Sequence, residues 1–461
     1  MTGSGSPVRS SSSLRPGLLV FALCAVTIVV DGYDLIVYGT TLPAILEYAP
    51  WGVSEVQAGA IGSYALIGML IGALVVGTVT DVVGRRRIML VCTTWFSLAM
   101  VGCAMAPSAE VFGALRFVAG LGLGGVVPTA IALTIEFAPP GRRMLANSVM
   151  FSGYSVGGII AALVTAALLA DVGFRAFFLA GGLVPLVTVV PLAWKLLPES
   201  PGFLLARGRT EEARATAARF GLDLEQYAAD AAATPEDTGD KAGTRGLRVL
   251  FSAGYVRATV LFWGATFLGL LLVYGFNTWL PQIMREAGYP LGSAILFLLA
   301  LNLGAIIGTP LAGAAADRIG SKPVTAAAFL VAAACIALLA VRLPTAALYA
   351  LVAVAGLGTI GTTILVNAYT AKVYPSAARA TGLGWALGVG RLGAILGPMI
   401  GGLILGSSLG FVWNFLVFAV LAMVGGLLVL LVPQTPTTAA PATVPSTVSL
   451  TAPASGGTTG G

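Results

Sequence analysis

The stretch Gly77-Thr78-Val79-Thr80-Asp81-Val82-Val83-Gly84-Arg85-Arg86-Arg87 has a weaker copy 236 residues on, Gly313-Ala314-Ala315-Ala316-Asp317-Arg318-Ile319-Gly320-Ser321-Lys322. The two glycines and the acid keep their spacing, and basic residues accompany them in both copies. The same shift carries Val37-Tyr38-Gly39 onto Val273-Tyr274-Gly275 and Gly72 onto Gly308. It also carries Val118-Ala119-Gly120-Leu121-Gly122 onto Val354-Ala355-Gly356-Leu357-Gly358, and Arg143 onto Arg379. One such match in an Ala/Gly/Val-rich chain is chance, but several at one offset mark an internal duplication.

Both copies lie between long apolar segments. Of the 461 residues 57% are hydrophobic and 10% charged, with a mean hydropathy of +0.94. Soluble domains carry roughly 25% charged residues, so an ordinary soluble enzyme is excluded. Segments of about 20 apolar residues span a bilayer. Twelve fit, at roughly 18–46, 56–80, 87–106, 109–137, 144–170, 174–197, 255–284, 290–316, 323–341, 345–373, 379–408 and 411–433. The expected organisation is a disordered N-terminus (1–17), a six-helix bundle (18–197), a cytoplasmic central loop (198–254), a second six-helix bundle (255–433) and a disordered tail (434–461). The predicted class is an all-α membrane protein of two pseudo-repeated bundles, the arrangement of major facilitators, in which substrate sits near the midplane between the halves.

Lysine and arginine set the orientation. Twenty fall on one side of the predicted membrane and three, Arg175, Arg285 and Arg342, on the other. Both termini are therefore expected in the cytoplasm. The net charge of +6 is distributed over short loops, as membrane topology requires, so no nucleic-acid partner is expected. Within the central loop, Thr210-Glu211-Glu212 reads as a capped helix start. Cys24, Cys92, Cys103 and Cys335 lie in apolar runs without close pairing, which disfavours disulfides, zinc and redox chemistry. Histidine is absent, so proton chemistry falls to carboxylates.

Ionisable residues inside a span cost roughly 2.5–3.5 kcal/mol on insertion scales and mark function by default. Asp31, Asp34, Arg116 and Arg391 lie deep, and Glu136 lies near the end of the fourth span. Asp31, Asp34 and Tyr38, at i, i+3 and i+7, share one helix face. At a rise of about 1.5 Å per residue, Asp31 and Asp34 sit about 20–24 Å from the start of the span, and Arg116 about 10 Å down from the opposite side. Asp34 and Arg116 are thus positioned to pair, either as a bundle staple or as part of the transport machinery. Two carboxylates in one low-dielectric site raise at least one pKa, which suits a proton carrier. Asp31 is the assigned carrier, with Asp34 held by Arg116, although the sequence leaves open which acid takes the proton. Arg391, within Gly390-Arg391-Leu392-Gly393, is a guanidinium fork near mid-membrane, with glycines that leave space around it. Its carboxylate partner is either the substrate, which is favoured, or an acid of the other half. Tyr38, Tyr274, Asn277, Asn367 and Trp385 are candidate cavity residues, and Trp279 beside Pro281 reads as an outer-interface anchor.

Gly77 to Arg87 resembles the G-x-x-x-D-x-x-G-R-[RK] loop of the major facilitator superfamily, and Gly313 to Lys322 its second copy. An acid at a helix end beside arginines can pair across the bundle and hold one face closed. Asp81, Gly84, Arg85, Asp317 and Arg318 are therefore gating candidates, the alternative for the arginine run being topology alone. Asp31-Gly32-Tyr33-Asp34-Leu35-Ile36-Val37-Tyr38-Gly39 resembles the first-span signature of the aromatic acid:proton symporters, most of all the benzoate transporters. Arg116 to Gly125 with Pro128 and Glu136, Pro198-Glu199-Ser200-Pro201, and Gly390 to Pro398 are similar to further family motifs. The resemblance implies that Asp31 and Asp34 serve proton-coupled transport and that Glu136 with Arg142 or Arg143 gates the cytoplasmic face. Hydroxybenzoate-type members often carry membrane histidines. Their absence here weakens a phenolic-acid assignment and leaves a benzoate one intact.

Ser152 to Gly158 lacks the Gly-Pro pair of drug:proton antiporters, which favours uptake over export. No nucleophile–base set, phosphate loop or metal cluster is present, and Gly120 to Gly125 lies inside a span rather than after a strand. The expected protein is therefore no enzyme and carries no cofactor or metal. It is expected to be a monomeric, multi-pass protein of a bacterial inner membrane that imports a small aromatic monocarboxylate with protons by alternating access. The alternatives are another organic anion, hydroxylated aromatic or dicarboxylate, and, further off, a non-transporting sensor.

Overall fold

The computed structural model describes residues 14–138, 142–222, 224, 247–341 and 343–433. The expected C-terminal tail, most of the expected N-terminal segment, part of the central loop and Arg342 lie outside these residues, as do the side chains of Asp81 and Arg143. Among the described residues, twelve helices are long and apolar enough to cross a membrane. The first six are α1 (Leu14–Leu46), α2 (Glu55–Val83), α3 (Arg85–Met105), α4 (Ala109–Phe137), α5 (Arg143–Val172) and α6 (Phe174–Leu196). The second six are α7 (Val256–Glu286), α8 (Leu291–Ile319), α9 (Ser321–Leu338), α10 (Thr345–Val373), α11 (Ser376–Leu405) and α12 (Val412–Leu431). Two short helices, Pro201–Ala206 and Thr210–Phe220, follow α6. We call the face from which α1 starts and at which α12 ends the terminal face.

Local chemistry sets the helix ends. Ser54 and Gln57 form a reciprocal capping box at the start of α2, satisfying two orphan donors, and the Ser108 hydroxyl accepts from Val111 N–H at the start of α4. Between α2 and α3, Gly84 has φ 103°, and at the matching turn between α8 and α9 Gly320 has φ 102°. That region is closed to most side chains, which explains why the duplicated loop keeps glycine at both places. Two spans are irregular. α6 is broken at Thr188, between Phe174–Val187 and Val189–Leu196. α10 contains a π-helical turn at Leu357–Gly361.

The duplication is visible as backbone contact. A Cβ on Gly68 would stand 2.2 Å from the Phe117 carbonyl oxygen, and one on Gly304, 236 residues later, 1.8 Å from that of Ala353. Likewise Gly120 faces the Ala65 carbonyl at 2.0 Å and Gly356 that of Leu301 at 1.9 Å. In lipid, where apolar burial does not drive association, such small-residue contacts let helices approach closely. α2 with α4, and α8 with α10, are therefore joined in the same way in each bundle. Aromatic packing fills the remaining space: Phe112 meets Phe178 edge-on at 4.9 Å, and Phe276 meets Phe418 at 5.9 Å.

The contacts that join the bundles lie toward the face opposite the termini. Gly39 of α1 presses on the Asn277 carbonyl of α7, Gly59 of α2 on that of Pro398, and Gly402 of α11 on that of Glu55. The Ser63 hydroxyl donates to the Ile395 carbonyl at 2.6 Å, and Glu47 pairs with Arg285. Trp279 is no interfacial anchor. It is wholly buried and donates its indole N–H to the Pro398 carbonyl at 2.7 Å, fastening α7 to α11. Toward the terminal face, Ser148 and Ser152 of α5 and Gly384, Trp385 and Gly388 of α11 are exposed. A Cβ on Gly384 or Gly388 would meet nothing within 4 Å.

Candidate functional site

Asp31 and Asp34 stand half-way along α1, 0% and 1% exposed. Their surroundings differ. Asp34 accepts from the Arg116 guanidinium of α4, which is 3% exposed and lies over the rings of Tyr38 at 5.4 Å and Phe178 at 5.9 Å. This buried cation is thus paired by a carboxylate and flanked by ring faces. Asp31 has no such partner: neither of its carboxylate oxygens has a hydrogen bond of acceptable geometry. The groups acting on it electrostatically are Tyr154 of α5, Asp34, and Arg391 of α11. The Tyr154 hydroxyl faces Asp31 without reaching hydrogen-bond geometry.

The glycine between the two acids explains this placement. A Cβ on Gly32 would lie 2.2 Å from the Tyr154 carbonyl oxygen, and one on Gly157 2.0 Å from that of Val29. α1 and α5 therefore cross in backbone contact beside Asp31. Tyr33 closes the back of the helix by donating to the Phe177 carbonyl at 3.1 Å.

Arg391 is partly exposed, with Tyr274 of α7, Tyr154 and Asp31 as its electrostatic neighbours. The two bundles thus bring one acid, two phenols and one guanidinium together. The glycines flanking Arg391 do not leave space around it. Gly390 packs on Thr266 and Leu270, and a Cβ on Gly393 would stand 2.0 Å from the Phe267 carbonyl oxygen, so they bring α11 against α7. Beside Arg391, Thr381, Gly384, Trp385, Gly388, Val389 and Leu392 line an apolar groove of about 510 Å³.

The other candidates divide. Tyr38 is buried and donates its hydroxyl to the Ala58 carbonyl at 2.6 Å, which makes it a brace between α1 and α2. Asn277 sits in the seam against Gly39 and bonds back to the Val273 carbonyl at 2.7 Å, leaving its amide oxygen without a partner. Asn367 of α10 also has an unpartnered amide oxygen. Trp385 stacks on Trp263 at 5.6 Å.

At the terminal face, Arg85 lies 3.8 Å from Glu136. In the second bundle Lys372 lies 3.4 Å from Asp317 and 3.0 Å from the Ser321 hydroxyl. Lys372 is the repeat counterpart of Glu136, and Ser321 that of Arg85, so the position is kept while the charge is inverted. Glu199 accepts from the backbone N–H of Arg86 at 3.1 Å and ties the segment after α6 to the start of α3. Arg142 and Arg379 are exposed; Gly84 and Arg318 flank the α2–α3 and α8–α9 turns.

A family model described as Major Facilitator Superfamily matches residues 24–308 and 263–455. The chain belongs to the major facilitator superfamily. Like other members it is a membrane transporter and no enzyme. It is 38% identical over 418 residues to the benzoate transport protein of Acinetobacter baylyi, covering 90% of this chain and 89% of the relative. It is 39% identical over 403 residues to the gentisate transporter of Corynebacterium glutamicum, covering 87% and 84%. The inward-open structure of the xylose transporter XylE from E. coli superposes with a TM-score of 0.74 at 18% identity, over 92% of this chain and 98% of that one. The chain is therefore a multi-pass member of this superfamily, similar in sequence to aromatic-acid transporters within it.

Sequence reading did not single out Tyr154 or Glu199. For Tyr154 a signal was present, since Gly153 and Gly157 flank it at helical spacing and announce a close crossing. For Glu199 the motif was noted without its capping role.

Proposed function

We propose that this chain is a proton-coupled importer of a small aromatic monocarboxylate, working by alternating access across a bacterial inner membrane with both termini in the cytoplasm. The observation that supports this reading is a buried acid, Asp31, whose carboxylate oxygens have no hydrogen bond, within electrostatic reach of a guanidinium of the other bundle, Arg391. Arg391 takes the substrate carboxylate as a planar fork, and Asp31 takes the proton. Asp34 is held by Arg116 and keeps α1 in place. An anion on Arg391 withdraws that charge from Asp31 and favours its protonation, so substrate and proton bind together.

Contacts at one face and exposed residues at the other suit a carrier whose cytoplasmic side is open. Gating is assigned to Asp81, Gly84, Arg85, Glu136, Arg142 and Arg143, with Asp317 and Arg318 in the second bundle. Tyr274, Asn367 and Trp385 complete the substrate path. The substrates named for the benzoate and gentisate relatives support a benzoate-like ring, and no cofactor or protein partner is invoked. Uptake of labelled benzoate into proteoliposomes under an inward proton gradient tests the reading, with Asp31→Asn and Arg391→Ala alongside. Gradient-driven accumulation, abolished in both variants, is expected; uptake indifferent to the gradient refutes the coupling.

A further inference from the structure

Away from Asp31 and Arg391, another cavity, of about 380 Å³, opens at the terminal face between the start of α3, the end of α6 and the short helix Thr210–Phe220. Five basic residues line it, Arg86, Arg87, Lys195, Arg209 and Arg219, against two carboxylates, Glu199 and Glu212. Both carboxylates are engaged. Glu199 accepts from the backbone N–H groups of Arg86 and Ser200 at 3.1 and 3.0 Å, and Glu212 pairs with Arg209. Among the described residues, no carboxylate pairs with the side chain of Arg86, Arg87, Lys195 or Arg219. The Nε of Arg86 is buried without a hydrogen-bond partner. Buried polar groups are rarely left unsatisfied, and cations gathered around one cavity focus a field that draws an anion.

The fold does not require this much charge. The Arg86 guanidinium donates to the Trp194 carbonyl near the end of α6. In the second bundle its counterpart at the 236-residue shift, Lys322, donates to the Val432 carbonyl just past α12 at 2.7 Å. One cation in each bundle thus fastens the turn after the second span to the end of the sixth. Arg87 and Lys195 correspond to Pro323 and Leu431, neither of them charged. Membrane topology sets how many basic residues a face carries, but it does not require those of three separate elements to converge on one cavity.

The cavity lies at the level of lipid headgroups. Arg87, Val91, Trp95 and Leu98, spaced four, four and three residues apart, follow one face of α3, and the three apolar members are exposed. α6 packs beside α3, and its exposed side chains Val184, Val187 and Leu192 lead to Trp194, next to Lys195. Exposed apolar residues on a span face acyl chains, and a tryptophan such as Trp194, 68% exposed, belongs to the membrane–water interface. Arg87 and Lys195 therefore stand where two lipid-facing surfaces end, at the mouth of the cavity.

We propose that this cavity binds the phosphate headgroup of an acidic phospholipid, whose acyl chains lie along the exposed sides of α3 and α6. Arginine offers phosphate a planar fork and lysine a point charge, and basic pockets between spans hold anionic headgroups. The surplus of cations over carboxylates selects a headgroup with net negative charge over a zwitterionic one. A soluble phosphate ester shares this chemistry, but the apolar surfaces that run into the cavity favour the lipid. Arg219 lies on the helix Thr210–Phe220 and Arg209 borders it, whereas Arg87 lies on α3, so a bound headgroup ties the segment beyond the sixth span to the first bundle. The site stands apart from Asp31 and Arg391 and does not depend on which substrate the carrier takes.

The test is thermal unfolding of the purified full chain in a neutral detergent, titrated with dioctanoyl phosphatidylglycerol, dioctanoyl phosphatidylcholine or glycerol 3-phosphate. A ligand that binds the folded protein raises Tm as it fills the site. Phosphatidylglycerol should act at concentrations about tenfold or more below those of phosphatidylcholine. Each basic residue near a membrane surface is worth about fivefold in affinity for acidic lipid, so Arg87→Gln/Lys195→Gln should need about 25-fold more phosphatidylglycerol and Arg219→Gln, outside the spans, about fivefold more. Arg248→Gln/Arg257→Gln removes two exposed charges near the start of α7, away from the cavity, and should need no more than wild type. Each titration is read against the same variant without lipid, so a less stable variant does not imitate the effect. Equal action of the two lipids overturns the proposal, as does an equal weakening in the control pair. Stabilisation by glycerol 3-phosphate in the range where phosphatidylglycerol acts assigns the cavity to a soluble phosphate ester and overturns the lipid.

Discussion

Replacing Arg116 by Met leaves the Asp34 carboxylate in a place where it is 1% exposed and without the guanidinium that donates to it. Replacing Asp34 by Asn strands the guanidinium, with only the rings of Tyr38 and Phe178 and the Met100 sulfur at 3.9 Å for company. Removing one member of a buried ion pair costs about 3–5 kcal/mol, because the other charge is then uncompensated. With both removed no stranded charge remains, so the double variant should fall short of the sum of the singles by about 2–3 kcal/mol. Unfolding of purified protein in mixed micelles by added dodecyl sulfate, followed by tryptophan fluorescence, measures all three. Arg116→Lys completes the set: it keeps the charge but not the planar fork, and should lie between wild type and Arg116→Met. Costs for the two singles that simply add, within about 0.5 kcal/mol, would show that the pair is not a unit and refute the division of labour between Asp34 and Asp31.

Gly157→Ala forces a Cβ to within 2.0 Å of the Val29 carbonyl; overpacking of this kind costs about 1–3 kcal/mol. It should lower thermal stability and abolish uptake, whereas Gly77→Ala, with nothing within 4 Å, should change neither. Trp279→Phe removes the donor to the Pro398 carbonyl and should destabilise by about 1–3 kcal/mol in the same unfolding assay. Glu47→Gln should change stability by less than about 1 kcal/mol, as exposed ion pairs contribute little. It should nevertheless make a cysteine placed at Gln57 and another at Ser407 spend more time apart in spin-label distance distributions; an unchanged distribution assigns the pair no role in closing that face.

The twelve spans and the two-bundle plan were readable because apolar length and the constant 236-residue offset are one-dimensional signals. The proximity of Asp34 and Arg116 was also readable, since helix rise alone brings them to one depth. What was not readable was packing. The sequence suggested that Gly390 and Gly393 open room for Arg391, yet they bring α11 against α7. Trp279 beside Pro281 looked interfacial, because only the fold shows that the Pro398 carbonyl lies within its reach. The π turn in α10 replaces a stretch that reads like its α-helical counterpart in α4, so neither periodicity nor composition announces it. Tyr154 escaped notice because its partner acid lies 123 positions away in the chain.

The glycine contacts between helices have a mechanical consequence. Where Gly68, Gly120, Gly304 and Gly356 place backbone directly on backbone, no flexible side chain lies between the helices to absorb a displacement. Each bundle then transmits motion as a stiff lever rather than a cushion. A helix such as α4, with 29 residues, is about 44 Å long, so tilting it by about 10° around its middle moves each end by about 4 Å. A small rearrangement around Asp31 and Arg391, close to the pivot, is thereby magnified at both membrane faces, and the amplification is set by the length of the helices rather than by the chemistry at the centre.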